Sequence, residues 1–111
     1  MTIGKKRDGD KKMTITEKRD GDTLTVAIEG RMDANSASQL DEALKAEYET
    51  INDLTIDLEK LTYISSAGLR VLLSAQKTMN KKGSMVIRNV PPDVMEIFDM
   101  VGFSDLLNIE E

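Results

Sequence analysis

Cysteine, histidine and tryptophan are all absent from this chain of 111 residues, and each absence removes a class of chemistry. Without Cys there is no disulfide framework, no thiol nucleophile and no iron–sulfur site, and without His as well the common zinc ligand sets cannot be assembled. Every mechanism that leans on an imidazole base goes with them. No metal site and no cofactor are expected. No apolar run approaches the roughly 18 residues that a membrane-spanning helix needs. The opening Met1-Thr-Ile-Gly-Lys-Lys has no hydrophobic stretch behind it to make a signal peptide, so the cytoplasm is the expected compartment.

What remains is a chain that is 40% hydrophobic and 32% charged, with two Phe and two Tyr. Those proportions fit one small globular domain with a single modest core and exclude a large multi-domain enzyme. Fifteen basic and twenty acidic residues give a net charge of −5. Its distribution is uneven: the first twelve residues carry +3 and the remaining ninety-nine carry −8. An acidic domain lacks the basic surface that displaces counterions from a phosphate backbone, so no nucleic-acid partner is expected. Such an excess serves solvation and suits a basic protein partner.

The N-terminus holds a near repeat. Met1-Thr-Ile-Gly-Lys-Lys-Arg-Asp-Gly-Asp10 is followed at an offset of twelve by Met13-Thr-Ile-Thr-Glu-Lys-Arg-Asp-Gly-Asp22. Only the second copy runs on into a hydrophobic strand, and two short copies cannot build a solenoid. The first copy, residues 1–12, therefore reads as a flexible tail and residues 13–111 as the domain.

From Met13 onward, alternation and helical spacing are legible. Met13–Lys18 and Thr23–Gly30 alternate on either side of Asp20-Gly21-Asp22, where Gly supplies the positive φ of a hairpin turn. Residues 35–49 set Ala37, Leu40, Leu44 and Tyr48 at helical spacing, with Asn35 or Ser36 as N-cap candidates. Asp53–Leu58 alternates as a strand and Lys60–Ser65 reads as a turn or loop. Residues 67–82 predict a second helix, with Gly83 in the C′ position. Met85–Ile87 is a short strand, and Pro91-Pro92-Asp93 opens a third helix that carries Val94, Ile97, Phe98 and Val101 and ends at Gly102. Phe103–Ile109 closes the chain as a short strand or extended segment. The expected fold is α/β, with four to five strands in a mixed sheet, three or more helices and right-handed β-α-β crossovers.

One stretch carries chemistry: Leu58-Glu-Lys-Leu-Thr-Tyr-Ile-Ser-Ser-Ala-Gly-Leu-Arg-Val-Leu-Leu73. Two adjacent serines stand where a helix begins, and the free amides and positive dipole end of a helix N-terminus favour an anionic oxygen. A phosphate on Ser66 would add roughly −1.5 to −2 charges there. The plainer role is an N-cap, for which serine is among the preferred residues. A nucleophilic serine has no histidine to activate it, and no Gly-x-Ser-x-Gly elbow is present. Nor is there a Gly-rich phosphate loop, so the chain is not expected to bind ATP itself. The Lys77, Lys81 and Lys82 cluster reads as a solvated helix end and Asp41-Glu42 and Glu110-Glu111 as surface charge. Met79, Met95 and Met100 read as gap-fillers or as adaptable surface residues, not as a ligand groove.

The block Ile56–Leu73 resembles the signature of STAS domains, in particular the free-standing bacterial anti-sigma factor antagonists. Ile28-Glu-Gly-Arg-Met-Asp33, Met85-Val-Ile-Arg-Asn-Val90 and Ile97-Phe-Asp-Met-Val-Gly-Phe103 follow in the same order, so the resemblance covers residues 13–109. It implies a non-enzymatic switch. The unphosphorylated antagonist binds an anti-sigma factor that is also a serine kinase and so frees a sigma factor; phosphorylation breaks the complex, and a PP2C-like phosphatase resets it. Aligning Gly68-Leu69 places the acceptor at Ser66, with Ser65 as second candidate. Ser65 stands where an Asp often precedes the acceptor and Ala67 where Ser or Thr often follows. Asp33 matches an acidic position near the acceptor loop and also reads as a helix cap. The implied partner-binding set is Asp33, Ser65, Ser66, Ala67, Gly68, Leu69 and Arg70, on a cytoplasmic monomer. Two other readings stand beside it: a STAS accessory subunit of a membrane lipid or solute transporter, which needs no phosphate, and a small enzyme with a serine or carboxylate site.

Overall fold

The computed structural model describes residues 3–10 and 13–110. Along the chain it has β1 (Ile3–Asp10), β2 (Met13–Asp20), β3 (Thr23–Met32), α1 (Ala34–Lys45), β4 (Asp53–Ile64), α2 (Ser66–Asn80), β5 (Ser84–Arg88) and α3 (Pro92–Val101). The strands lie side by side in sequence order, antiparallel from β1 to β3 and parallel from β3 to β5. Each parallel step is a β-α-β crossover through α1 or α2, as the element order requires. Glu111 of the terminal carboxylate pair, and Met1, Thr2, Lys11 and Lys12 of the expected tail, lie outside the described residues.

The alternation seen in the sequence points Leu24, Val26 and Ile28 of β3 and Leu54, Ile56 and Leu58 of β4 into one core, together with Met85 and Ile87 of β5. Helices cover this face with Leu40 and Leu44 from α1, Leu72, Ala75 and Met79 from α2 and Val94 and Phe98 from α3, all buried. Period 2 in the strands and period 3.6 in the helices therefore meet in a single apolar layer.

Several boundaries move, each for a local reason. Residues 3–10, expected in a flexible tail, form β1 on the outer edge of β2. The two near copies pair with one another, which supplies partners to an edge of N–H and C=O groups that β2 alone would leave open. The Lys60–Ser65 stretch, expected as a loop, is strand as far as Ile64. Between Asp57 and Tyr63, β4 holds two more residues than the stretch of β3 paired with it, one extra at each of two bulges. These change the spacing of its buried residues from two (Leu54, Ile56, Leu58) to three (Leu58, Leu61, Ile64). Asp57 accepts the Glu59 N–H at 3.0 Å at the first bulge, and Thr62 Oγ1 donates to the Gly30 carbonyl at 3.1 Å at the second.

The first helix stops at Lys45 instead of running to residue 49, and Tyr48 falls in a 3-10 turn, Tyr48–Thr50. Gly83 is not a left-handed C′ residue; it is a close approach, since a Cβ there would lie 1.7 Å from the Asn52 carbonyl oxygen. Gly102 does end α3 with φ of 78°. Beyond it Phe103–Asp105 is a 3-10 turn, not a strand, and Ile109 makes a lone parallel bridge to Ile87. Glu110 pairs with Arg88 at 3.1 Å.

The Tyr48 hydroxyl is buried and has no hydrogen-bond partner among the described residues. Burial, with a smaller contribution from the Asp41 carboxylate, pushes its pKa from 10.0 up to about 12. A raised pKa means that the folded state holds this proton more tightly than the unfolded chain, so its contribution is whole below pH 10 and disappears as pH rises through about 12. Denaturant titrations over that window will show stability falling with pH, and Tyr48→Phe will flatten the fall while matching or exceeding wild-type stability at neutral pH.

Candidate functional site

Because β3 and β4 are parallel and Met32 pairs with Ile64, their C-terminal ends lie together and each feeds a helix, Asp33 leading into α1 and Ser65 into α2. Two helix N-termini thus meet at one end of the sheet, the end where parallel α/β sheets present their working groups. Both bring the positive ends of their dipoles there. Strand β5 ends at Arg88, level with Asp57 and seven residues before Ile64 on β4, and leads through Pro91 into α3.

Ser65 is built into this edge by its backbone and by its side chain. Its N–H donates to the Met32 carbonyl at 2.8 Å, continuing the β3–β4 pairing one step past Met32 and Ile64. Its backbone is extended, its Oγ accepts the Gly68 N–H at 3.2 Å, and its carbonyl accepts the Leu69 N–H at 3.0 Å. Ser65 is the N-cap of α2. Ser66, the first helical residue, is exposed, and its hydroxyl makes no hydrogen bond among the described residues. No base is paired with it, so the arrangement presents a free hydroxyl and not an activated nucleophile.

Two neighbours hold this start in place. Gly68 is buried against the strand ends, where a Cβ would lie 2.7 Å from Met32 Sδ and 2.8 Å from Ile64 Cγ1. Leu69 is 6% exposed and anchors the first turn in the core. Of the seven residues expected to meet a partner, Gly68 and Leu69 are therefore interior and act by position. Ser66 and Arg70 are exposed, Asp33, Ser65 and Ala67 half-buried, and Ala67 packs against the core. Arg70 lies one turn after Ser66, on the same side of α2.

Asp33 is the N-cap of α1, one of the two roles its sequence suggested, and Asn35 and Ser36, the other candidates, lie inside the helix. Its carboxylate accepts the Ser36 N–H at 3.0 Å, while Ser36 Oγ accepts the Asp33 N–H at 2.9 Å, a reciprocal capping box. Since Met32 pairs with Ile64, Asp33 and Ser65 leave neighbouring strands at matching positions. Cap and site neighbour are one and the same residue. Sequence reasoning did not single out Arg31 and Tyr63, which also pair across these strands, with the guanidinium 4.3 Å from the ring centroid. Tyr63 is 39% exposed, so the pair forms part of the surface beside the serines. Its signal was hidden by the second bulge, which put Tyr63 in an apparent loop. Among the described residues no acidic cluster is arranged to hold a metal ion, and no helix is long and apolar enough to cross a membrane.

A family profile described as Mlab, STAS domain matches residues 15–108. Among curated relatives, the candidate anti-sigma factor antagonist BtrV of Bordetella bronchiseptica is 34% identical over 88 residues, which covers 78% of this chain and 76% of the relative. An anti-sigma-B factor antagonist of Bacillus subtilis is 33% identical over 87 residues, covering 78% and 80%. Among solved structures, an anti-sigma factor antagonist from Mycobacterium paratuberculosis superposes with a TM-score of 0.79 at 19% identity, over 87% of this chain and 84% of that one. The antagonist SpoIIAA in its unphosphorylated form gives 0.72 at 13% identity over 98% and 89%. Its phosphorylated form from Bacillus gives 0.67 at 12% identity over 98% and 92%. These structural likenesses concern the fold.

The two serines do different work, and stability measurements will separate them. Ser65→Ala will cost about 1 kcal/mol in denaturant unfolding through loss of the cap, and Ser66→Ala less than about 0.5 kcal/mol. Gly68→Ala will cost about 1–3 kcal/mol, because the new methyl has to displace Met32 and Ile64. Equal losses for both serine variants would contradict this division.

Proposed function

The chain belongs to the STAS-domain family, among the anti-sigma factor antagonists, and from that membership we propose that it works as a phosphorylation-controlled binding module. With Ser66 unphosphorylated it binds an anti-sigma factor and so frees a sigma factor for transcription. Phosphorylation of Ser66 ends the complex. The observation that carries this reading is the exposed, unbonded Ser66 hydroxyl beside a Ser65 whose own hydroxyl is committed to the cap. A kinase meeting this edge finds one serine available without disturbing the helix. Ser65 is the poorer acceptor because it is half-buried and its hydroxyl oxygen is engaged by the Gly68 N–H, so a kinase reaches it less readily.

Ser65 occupies the place of a common Asp, yet both residue types cap helices well, so the departure preserves the local geometry. Ala67 packs inward, where the absence of a second hydroxyl leaves a single acceptor. The proposed partner is an anti-sigma factor that is itself an ATP-using serine kinase, with a PP2C-like phosphatase restoring the hydroxyl. The module itself is a cytoplasmic, non-enzymatic monomer. Its contact surface is the exposed rim of this edge, Ser66, Arg70 and the outer parts of Asp33, Ser65 and Ala67, with Arg31 and Tyr63 added to it.

Loss of binding needs no refolding. A doubly charged group placed in an interface has to be desolvated, and each 1.4 kcal/mol of that cost weakens affinity about tenfold. Arg70, one turn away, can hold the phosphate on the surface once the partner has left.

Incubation with the co-encoded kinase and ATP, followed by mass spectrometry, will find phosphate on Ser66. Ser66→Ala will bind that kinase as the wild type does and resist release, while the phosphorylated protein and Ser66→Asp will bind at least about tenfold more weakly. Unchanged affinity after phosphorylation would refute the switch. Partner binding with no phosphate on any serine would favour the transporter-accessory role instead.

A further inference from the structure

Of the large apolar side chains exposed among the described residues, only Tyr63 lies near the serine edge. The other three are Met100, 84% exposed, Val101, 48%, and Leu106, 55%, and they gather where α3 ends and the last turn begins. Single exposed apolar residues are ordinary, but a cluster in one place marks a contact surface. Beside it runs a groove of about 430 Å³ lined by Met95, Asp99, Ser104, Leu107, Asn108 and Ile109.

Charge identifies what would fit. After Arg88 the chain contains no Lys or Arg, whereas Asp93, Glu96, Asp99 and Asp105 are all exposed. Asp93, Glu96 and Met100 follow one another at helical spacing on one side of α3. No basic residue stands in the last turn of α3, so the negative end of its dipole adds to this field uncompensated. An apolar cluster set in acidic surroundings fits apolar side chains flanked by cations and repels an anionic membrane surface.

We propose that α3 and the segment after it form a second protein-docking surface, which takes a basic amphipathic segment of a partner protein. It is separate from the serine edge. The preceding strand β5 ends at Arg88, level with Asp57 and seven residues before Ile64 on β4, so α3 opens from a point roughly 15–20 Å short of the serine edge. That exceeds the screening length of about 8 Å at physiological salt, so a phosphate on Ser66 barely reaches it. The surface therefore holds its ligand in both phosphorylation states.

A synthetic amphipathic peptide of leucine and lysine, and its counterpart with glutamate in place of lysine, are the probes, titrated into the full-length protein and followed by NMR shift mapping. The lysine peptide will bind with shifts confined to residues 93–109 and with affinity that falls as salt rises, and the glutamate peptide will not bind. Met100→Ser with Leu106→Ser, both at exposed positions, will weaken binding by about tenfold or more. Asp99→Asn, a second and milder variant, will weaken it and lessen its salt dependence. Ser66→Asp will leave it within about twofold, since the switch charge is screened at that distance. Equal binding of the two peptides, shifts centred on the α2 N-terminus, or undiminished affinity in the serine double variant would overturn the proposal. So would binding of anionic phosphatidylglycerol vesicles at this face, or self-association of the protein that the double variant abolishes.

Discussion

The arrangement depends on an inequality between two paired strands: from Asp57 to Tyr63, β4 carries two residues more than the part of β3 it follows. The surplus is taken up in two bulges, each tied by a side-chain hydrogen bond, from the Glu59 N–H to Asp57 and from Thr62 to Gly30. Leu61 and Ile64 thereby turn into the core although they break the alternation of the preceding residues. Ile64 then ends level with Met32, and the next residue, Ser65, is fastened to the Met32 carbonyl. Without the surplus, the strand would reach the edge in another phase and present other side chains there.

Much of this was legible in the sequence, and what was missed has specific causes. Regular alternation in Thr23–Ile28 and Asp53–Leu58, and the helical stripes of residues 67–79 and 94–98, located most of the core, whereas Val101, read into the last stripe, is exposed. The strand nature of Lys60–Ile64 was not legible, because a bulge erases the period on which strand recognition rests. The Arg31–Tyr63 contact was lost with it. At α1 the sequence offered several caps: Asp33, Asn35 and Ser36 all suit an N-cap, and three-dimensional pairing decided between them by placing Met32 at the end of β3. Gly83 shows a similar limit. Its place after a helix suggested a left-handed cap, while its requirement comes from Asn52, thirty-one residues earlier in the chain.

Ser65 and Ser66 were recognisable as a pair in the sequence, but only the hydrogen bonds distinguish them. A helix needs one cap, and the edge has room for one such residue between Ile64 and the first helical position. The second serine is then left facing solvent on a scaffold that its neighbours already hold, with Gly68 permitting the close approach and Leu69 anchoring the turn. The helix cap and the hydroxyl proposed as the switch thus reside in adjacent residues. The acidic character of the domain, noted first as a reason to set aside nucleic acid, is concentrated in its last part, where it surrounds the exposed apolar residues of α3.

At the opposite side of the sheet, β1 and β2 arise from near copies that differ at two of their ten positions. One of those differences sets Lys5 against Glu17, and the antiparallel register brings these two positions opposite one another. Glu17 is 4% exposed, an interior carboxylate on the face that also holds Met13 and Ile15. A sheet that adds strands in chain order has an open growing end, and tandem duplication of a dozen residues lengthens it there without disturbing the order of anything that follows. Such a domain can gain width by a single genetic event while the serine edge, two strands further in, keeps its geometry.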